Sequence, residues 1–239
     1  MIYPRIIAHR CGGALAPENT LAGLRLAARL GCRGVEFDAM LAADGVPVVI
    51  HDGTLERTTS GRGRVADMSS TQLARLDAGA RHHPAFAAEP LPTLDQALQL
   101  CAALGLWANV EIKPAAGQEA ETGRAVARHA AAAKGQLLLS SFSSAALCAA
   151  AGEAGQLPRA MLVGTIPPDW RDRMAESGAL ALHSSARALT AAALKAVSDA
   201  GFPLACYTVN HRDDAGRLFA MGVSAVFTDR PDLWLSSEM

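Results

Sequence analysis

No two cysteines of this chain stand in a C-x-x-C pair, and their number, five (Cys11, Cys32, Cys101, Cys148 and Cys206), is odd. A disulfide framework or a thiolate zinc site is therefore not expected. No apolar run is long enough to span a bilayer, so no membrane insertion is expected. The opening Met1-Ile2-Tyr3-Pro4-Arg5 holds no basic stretch followed by an apolar run, so no secretory leader is expected either. Basic residues are scattered and the formal net charge is −1, which argues against a nucleic-acid partner. Neither a glycine-rich dinucleotide turn nor a Walker loop occurs. Aromatics make up only 5% of the chain, alanines are many, and half of the residues are hydrophobic. Together these predict a cytoplasmic, helix-rich globular enzyme with free thiols. At 239 residues the chain is long enough for one large domain with a well-buried core.

What is present is alternation. Pro4 to His9 reads as a buried strand, and Asn19 or Thr20 can cap a helix that Gly31 ends. Gly34 to Leu41 is a second strand. Asp44-Gly45 then turns the chain into a short antiparallel return, Val46 to Ile50, whose Pro47 suits an edge. Residues 53–90 are turn-rich, with one short helix expected at Ser70 to Leu76, and read as an insertion. Thr93-Leu94-Asp95-Gln96 is a capping box, and from there strands and helices alternate to a terminal helix opened by Pro231. Eight parallel-type strands fall near residues 6, 36, 109, 138, 161, 181, 206 and 226. Eight strand–helix units in a chain of this length predict an α/β fold, a (β/α)8 TIM barrel with a small insertion after the second strand. A doubly wound sheet, without a nucleotide turn, fits less well.

In such a barrel the chemistry belongs at the C-terminal ends of the strands. The first strand ends in His9 and Arg10, and the hairpin returns His51. Glu36 and Asp38, two apart on the second strand, share one face, as do Asn109, Glu111 and Lys113 on the third. Phe142, Tyr207 and Asp229 end later strands. Three acids from adjacent strands repel one another unless a cation lies among them. Oxygen donors alone favour one Mg²⁺ or Ca²⁺ over zinc. Arg10 and Lys113 add the fixed positive charge that an anionic phosphate requires. His9 and His51 titrate near neutrality. A metal, two cations and two histidines make up the inventory of phosphodiester hydrolysis. Taken singly, a histidine at a strand end is more often structural, and paired acids serve equally well in ion pairs. Their joint occurrence on consecutive strand ends defines the candidate site. His82, His83, His129, His183 and His211 lack that support and are read as surface or structural.

The motifs Ala8-His9-Arg10, Pro17-Glu18-Asn19-Thr20, Glu36-Phe37-Asp38, His51-Asp52, Leu55-Glu56-Arg57-Thr58-Thr59-Ser60-Gly61, Leu76-Asp77-Ala78-Gly79, Pro92-Thr93-Leu94, Glu111-Ile112-Lys113, Thr208-Val209-Asn210 and Thr228-Asp229-Arg230-Pro231 occur in order over nearly the whole chain. As a set they resemble the glycerophosphodiester phosphodiesterase family. The resemblance implies a (β/α)8 barrel with an insertion, His9 and His51 as an acid–base pair, and Glu36, Asp38 and Glu111 as ligands of Mg²⁺ or Ca²⁺. It further implies that Arg10 and Lys113 hold the phosphate. The implied reaction releases sn-glycerol 3-phosphate and an alcohol from deacylated phospholipids. Of the two histidines it favours His9 as base and His51 as acid, an order the residues alone leave open. Two positions depart from the family's usual pattern. Cys11 stands where glycine is usual, and its side chain is expected to crowd the site. Tyr207 replaces the usual tryptophan, beside Phe142 in what would be the glycerol pocket. Two rival readings are a related phosphodiesterase acting on lysophospholipids and a barrel that binds phosphorylated ligands without turnover. The sequence names no interface for an oligomer.

Overall fold

The computed structural model describes residues 3–234. The barrel starts at β1 (Ile6–Ala8), followed by helix α1 (Leu21–Arg29), β2 (Gly34–Leu41) and the short return β3 (Pro47–Val49). Then come α2 (Ser70–Leu73), α3 (Leu94–Leu104), β4 (Trp107–Ile112), α4 (Glu119–Ala132), β5 (Leu137–Ser141) and α5 (Ser144–Glu153). The second half comprises β6 (Arg159–Val163), α6 (Trp170–Ser177), β7 (Ala181–Ser185), α7 (Ala191–Asp199), β8 (Leu204–Tyr207), α8 (Arg212–Ala220) and β9 (Ala225–Thr228). Eight strands pair in parallel, and β1 pairs with both β2 and β9, so the sheet closes on itself. Among the described residues only strand β3 is antiparallel, against Ala39 to Leu41 of β2, which leaves Pro47 at an outer edge as expected. The TIM barrel read from the sequence is the fold observed.

Local signals account for the helices. Thr20, not Asn19, caps α1, accepting a hydrogen bond from the Gly23 amide. Thr93 and Gln96 close the reciprocal capping box of α3, and Gly105, at φ 68°, ends that helix in the left-handed conformation. Pro231 to Trp234 form a single tight turn; the remainder of the expected terminal helix lies outside the described residues, as do Met1 and Ile2.

Alternation along the strands separates two kinds of interior. Val35, Phe37 and Ala39 face outward into a core shared with Leu24 of α1, Leu94 of α3 and Val126 of α4. Inside the barrel Ile7, Trp107, Leu138 and Phe227 pack with four alanines, Ala160, Ala181, Ala205 and Ala225. These fill the lower barrel. Glu36 and Asp38 face the same interior above them, and the register of β2 on β4 sets Glu36 beside Asn109 and Asp38 beside Glu111. Residues 53–90 carry α2, two short 3₁₀ turns and a small core of their own, in which Leu55, Val65, Leu73 and Ala78 pack on Met40 and Ile50.

Cys11 adopts φ 75°, the left-handed region that favours glycine. Its side chain does not crowd the site, contrary to the expectation above. It is buried with Leu24 and Ala27 in the core outside the barrel, because the turn aims its Cβ at α1. A Cβ added at Gly23 would meet Cys11 Cβ at 2.9 Å and the Gly12 amide nitrogen at 3.0 Å. Gly23→Ala is therefore expected to destabilise the protein by about 1–3 kcal/mol. Adding Cys11→Gly should restore part of that loss, read as coupling in a denaturant-unfolding cycle.

Candidate active site

Glu36, Asp38 and Glu111 each offer a carboxylate oxygen within 4.8 Å of the others, and all three residues are buried. Lys113 reaches down between two of them, its Nζ 3.2 Å from Asp38 and 3.1 Å from Glu111. Asn19, at φ 58°, fixes Asp38 from the first β–α loop, donating to its carboxylate at 2.8 Å and accepting from its amide at 3.1 Å. The Arg10 amide donates to Glu36 at 2.8 Å.

The Lys113 ammonium, with the Arg10 guanidinium 3.9 Å from Asp38, is too little positive charge for three buried acids, and Glu36 and Glu111 register the deficit. Burial and the neighbouring charge of Asp38 push Glu36 up to about 8. The same two causes push Glu111 up to about 7. Burial also works against the charge of Asp38, but Lys113, His51 and the Asn19 hydrogen bond outweigh it and hold that carboxyl below its ordinary value. A crowded, oxygen-only donor set whose members resist ionising together is one that a hard divalent cation fits.

Each of the two histidines is gripped through Nδ1. His9 Nδ1 lies 2.7 Å from Asp229 and His51 Nδ1 2.6 Å from Asp52. Both aspartates are held below the ordinary carboxylate range: Asp52 by hydrogen bonds from Arg57 and His51, Asp229 by His9 and Asn210 against the opposing effect of burial. Ionised, they only accept, so Nδ1 carries the hydrogen and Nε2 is left for chemistry. His9 Nε2 stands 3.9 Å from Glu36. Burial disfavours the His9 imidazolium, but Asp229 and Glu36 outweigh it and the pKa is raised. For His51, burial with the cations Lys113 and Arg10 prevails over Asp38 and Asp52, and the pKa is lowered.

A cavity of about 220 Å³ opens over these groups. Every candidate residue read from the sequence lines it: His9, Arg10, Glu36, Asp38, His51, Glu111, Lys113, Phe142 and Tyr207. Phe142 and Tyr207 meet edge to face, with ring centroids 6.1 Å apart, and the Tyr207 hydroxyl donates to the Val163 carbonyl at 2.8 Å. Sequence reasoning assigns no part in the site's chemistry to Asp229, Asp52, Asn19, Glu18 or Arg57, although all five stand inside the motifs quoted above. It also placed His183 apart from the site. His183 is wholly buried in the cavity wall, its Nε2 3.1 Å from the Tyr3 hydroxyl and its Nδ1 without a partner. Burial pushes its pKa down to about 3, so the ring is neutral.

Fold and site together define a (β/α)8 barrel that collects three clustered acids, two fixed cations and two carboxylate-held histidines at one rim. The profile of the glycerophosphoryl diester phosphodiesterase family matches residues 9–233, and the chain belongs to that family. It is 31% identical over 233 residues to a glycerophosphodiester phosphodiesterase of Caldanaerobacter subterraneus, covering 95% of this chain and 94% of that one. A phosphodiesterase of Oleispira antarctica, solved in complex with the product sn-glycerol-3-phosphate, superimposes with a TM-score of 0.93 at 35% identity, covering 96% and 94% of the two chains. The glycerophosphodiester phosphodiesterase of Agrobacterium tumefaciens superimposes with a TM-score of 0.77 at 28% identity, covering 99% and 100%. Among the described residues no helix is long and apolar enough to cross a membrane.

Proposed function

We propose that the chain hydrolyses glycerophosphodiesters to sn-glycerol 3-phosphate and an alcohol, with one divalent cation, Mg²⁺ or Ca²⁺, and His9 and His51 as its acid–base pair. The observation that carries this reading is the pair of carboxylate-held histidines lining the same cavity as the Glu36–Asp38–Glu111 cluster. A barrel that only bound phosphorylated ligands would need no such pair. Glu36, Asp38 and Glu111 would hold the cation, which when bound supplies charge that neutralises the phosphodiester. Arg10 and Lys113 bind and orient the phosphate from the cavity wall. Asp52 keeps His51 Nε2 turned into the cavity, and Asp229 does the same for His9.

His9 is the base and His51 the acid in this proposal. A cation at the three acids would cancel the negative charge of Glu36, one of the supports of a proton on His9, and so favour the neutral ring that a base requires. His51 acts as the acid in its imidazolium form. Burial, Lys113 and Arg10 oppose that form, Asp38 and Asp52 support it, and a bound anionic phosphodiester would favour it further. Its Nε2 proton goes to the departing alcohol. Phe142 and Tyr207 form the apolar wall against which the glycerol carbons would lie. The chain is read as one barrel domain, with residues 53–90 as an insertion that backs the rim. Its five free cysteines suit a reducing cytoplasm.

Turnover of glycerophosphocholine, glycerophosphoethanolamine and lysophosphatidylcholine, with glycerol 3-phosphate assayed from the first two and choline with lysophosphatidic acid from the third, tests the substrate class. Both water-soluble diesters should turn over. Reaction of the lysolipid alone would replace the reading with the lysophospholipid one.

A further inference from the structure

Arg57 belongs to the 53–90 segment, outside the cavity, and the catalytic assignment above gives it no part. Its guanidinium nevertheless spans two carboxylates. Nε and Nη2 donate to Asp52 at 2.5 and 3.0 Å, and Nη1 and Nη2 donate to Glu18 at 2.7 and 2.8 Å. Each of those carboxylates grips one group of the site. Asp52 accepts from His51 Nδ1 at 2.6 Å, and Glu18 accepts twice from Arg10 Nη1 at 3.2 Å. Asp52 and Glu18 are both partly exposed, so neither is positioned by core packing. The turn that carries Arg57 is positioned that way. Leu55 is fully buried, Thr59 Oγ1 donates to the Leu55 carbonyl at 2.7 Å, and the Leu55 amide donates to Gly63 at 3.0 Å.

We propose that Arg57 is a positioning residue that ties the acid–base His51 and the phosphate-binding Arg10 to one rigid turn of the 53–90 segment. The planar guanidinium supplies four donors to two carboxylates at once; a lysine ammonium at the same place lacks that fork. Loss of Arg57 frees Asp52 to rotate, so His51 loses its fixed tautomer and direction, and it frees Glu18 to draw Arg10 off the phosphate. The first effect falls on kcat and the second on KM.

The inference rests on His51 being catalytic, and the test separates the two claims. Steady-state kinetics on glycerophosphocholine with Mg²⁺ compare wild type, Arg57→Gln, Arg57→Lys, His51→Ala and the double variant Arg57→Gln/His51→Ala. Arg57→Gln should lower kcat about 10- to 100-fold, the range shown by groups that orient a first-contact residue, and raise KM; Arg57→Lys should recover part of the loss. In the His51→Ala background the same substitution should change kcat by no more than about twofold, because the group it positions is gone. Arg57→Gln within about twofold of wild type, or a full multiplicative loss in both backgrounds, would overturn the inference alone. Wild-type turnover by His51→Ala would remove the catalytic reading and the inference with it. Arg57 is largely exposed, so these variants should melt close to wild type; if Arg57→Gln fails to fold, the cycle is read with Arg57→Lys.

Discussion

Alanine at His9 or His51 is expected to lower kcat by about 10²–10⁴ while leaving the fold intact, since that is the usual worth of a positioned acid or base. Both side chains are partly exposed at the cavity, so truncation removes a proton carrier without opening a core cavity. The two variants should differ on a substrate whose leaving group needs no proton, such as the p-nitrophenyl ester of glycerol 3-phosphate. His51→Ala, lacking the acid, should recover most of its deficit there, and His9→Ala should not. Asp52→Asn and Asp229→Asn should each reproduce part of the defect of the histidine it holds. Both variants matching wild type on glycerophosphocholine, with unchanged melting curves, would eliminate the acid–base pair.

Removing the cation is expected to abolish turnover, and the acids themselves report its binding. Glu36 stands at about 8 and Glu111 at about 7, against an ordinary 4.5. A carboxyl whose folded-state pKa is raised contributes stability that is full below 4.5 and is lost as pH climbs through the folded-state value. His183 and His51, lowered from 6.5, act in the opposite sense, but only below 6.5. Raised His9 adds to the loss above 6.5. The metal-free protein should therefore lose stability as pH rises from 6.5 to 8, and Glu36→Gln should flatten that slope. Saturating Mg²⁺ or Ca²⁺ should remove it as well, adding about 2.7 kcal/mol at a hundred times Kd, or roughly 5–10 °C in Tm for a chain of this size. Calorimetric melts at several pH values, with cation or chelator, check this. No cation-dependent shift in Tm at pH 8 would exclude the three acids as its site.

The barrel was legible because its signals are local. Period-two alternation set Glu36 and Asp38 on one face, and the rule that barrel chemistry sits at the C-terminal strand ends gathered His9, Glu111 and Lys113 with them. Contacts between distant loops were less legible. Asp229 lies 220 positions from the histidine it holds, and nothing in its surroundings in the chain announces that partner. Arg57 likewise meets Glu18 across 39 positions. The sixth parallel strand reads in the sequence as Leu180 to Leu182, near residue 181, whereas β7 runs Ala181–Ser185. Leu180 is exposed, while the polar His183 and Ser184 are buried. A histidine reads as loop in a sequence, but a barrel strand can bury it where its interior is a polar cavity, as at His183. The position after Arg10 misled for a related reason: residue type indicated a side chain near the site, but the left-handed backbone at Cys11 turns that side chain away.

The central claim, metal-dependent hydrolysis of a glycerophosphodiester at this rim, is met most directly by following glycerol 3-phosphate released from glycerophosphocholine. The assay is run with Mg²⁺, with Ca²⁺ and with a chelator. Release that requires the cation, and that disappears in Glu36→Gln and Glu111→Gln, is the predicted result. Equal release in the presence of chelator, or none with either cation from folded protein, would contradict it.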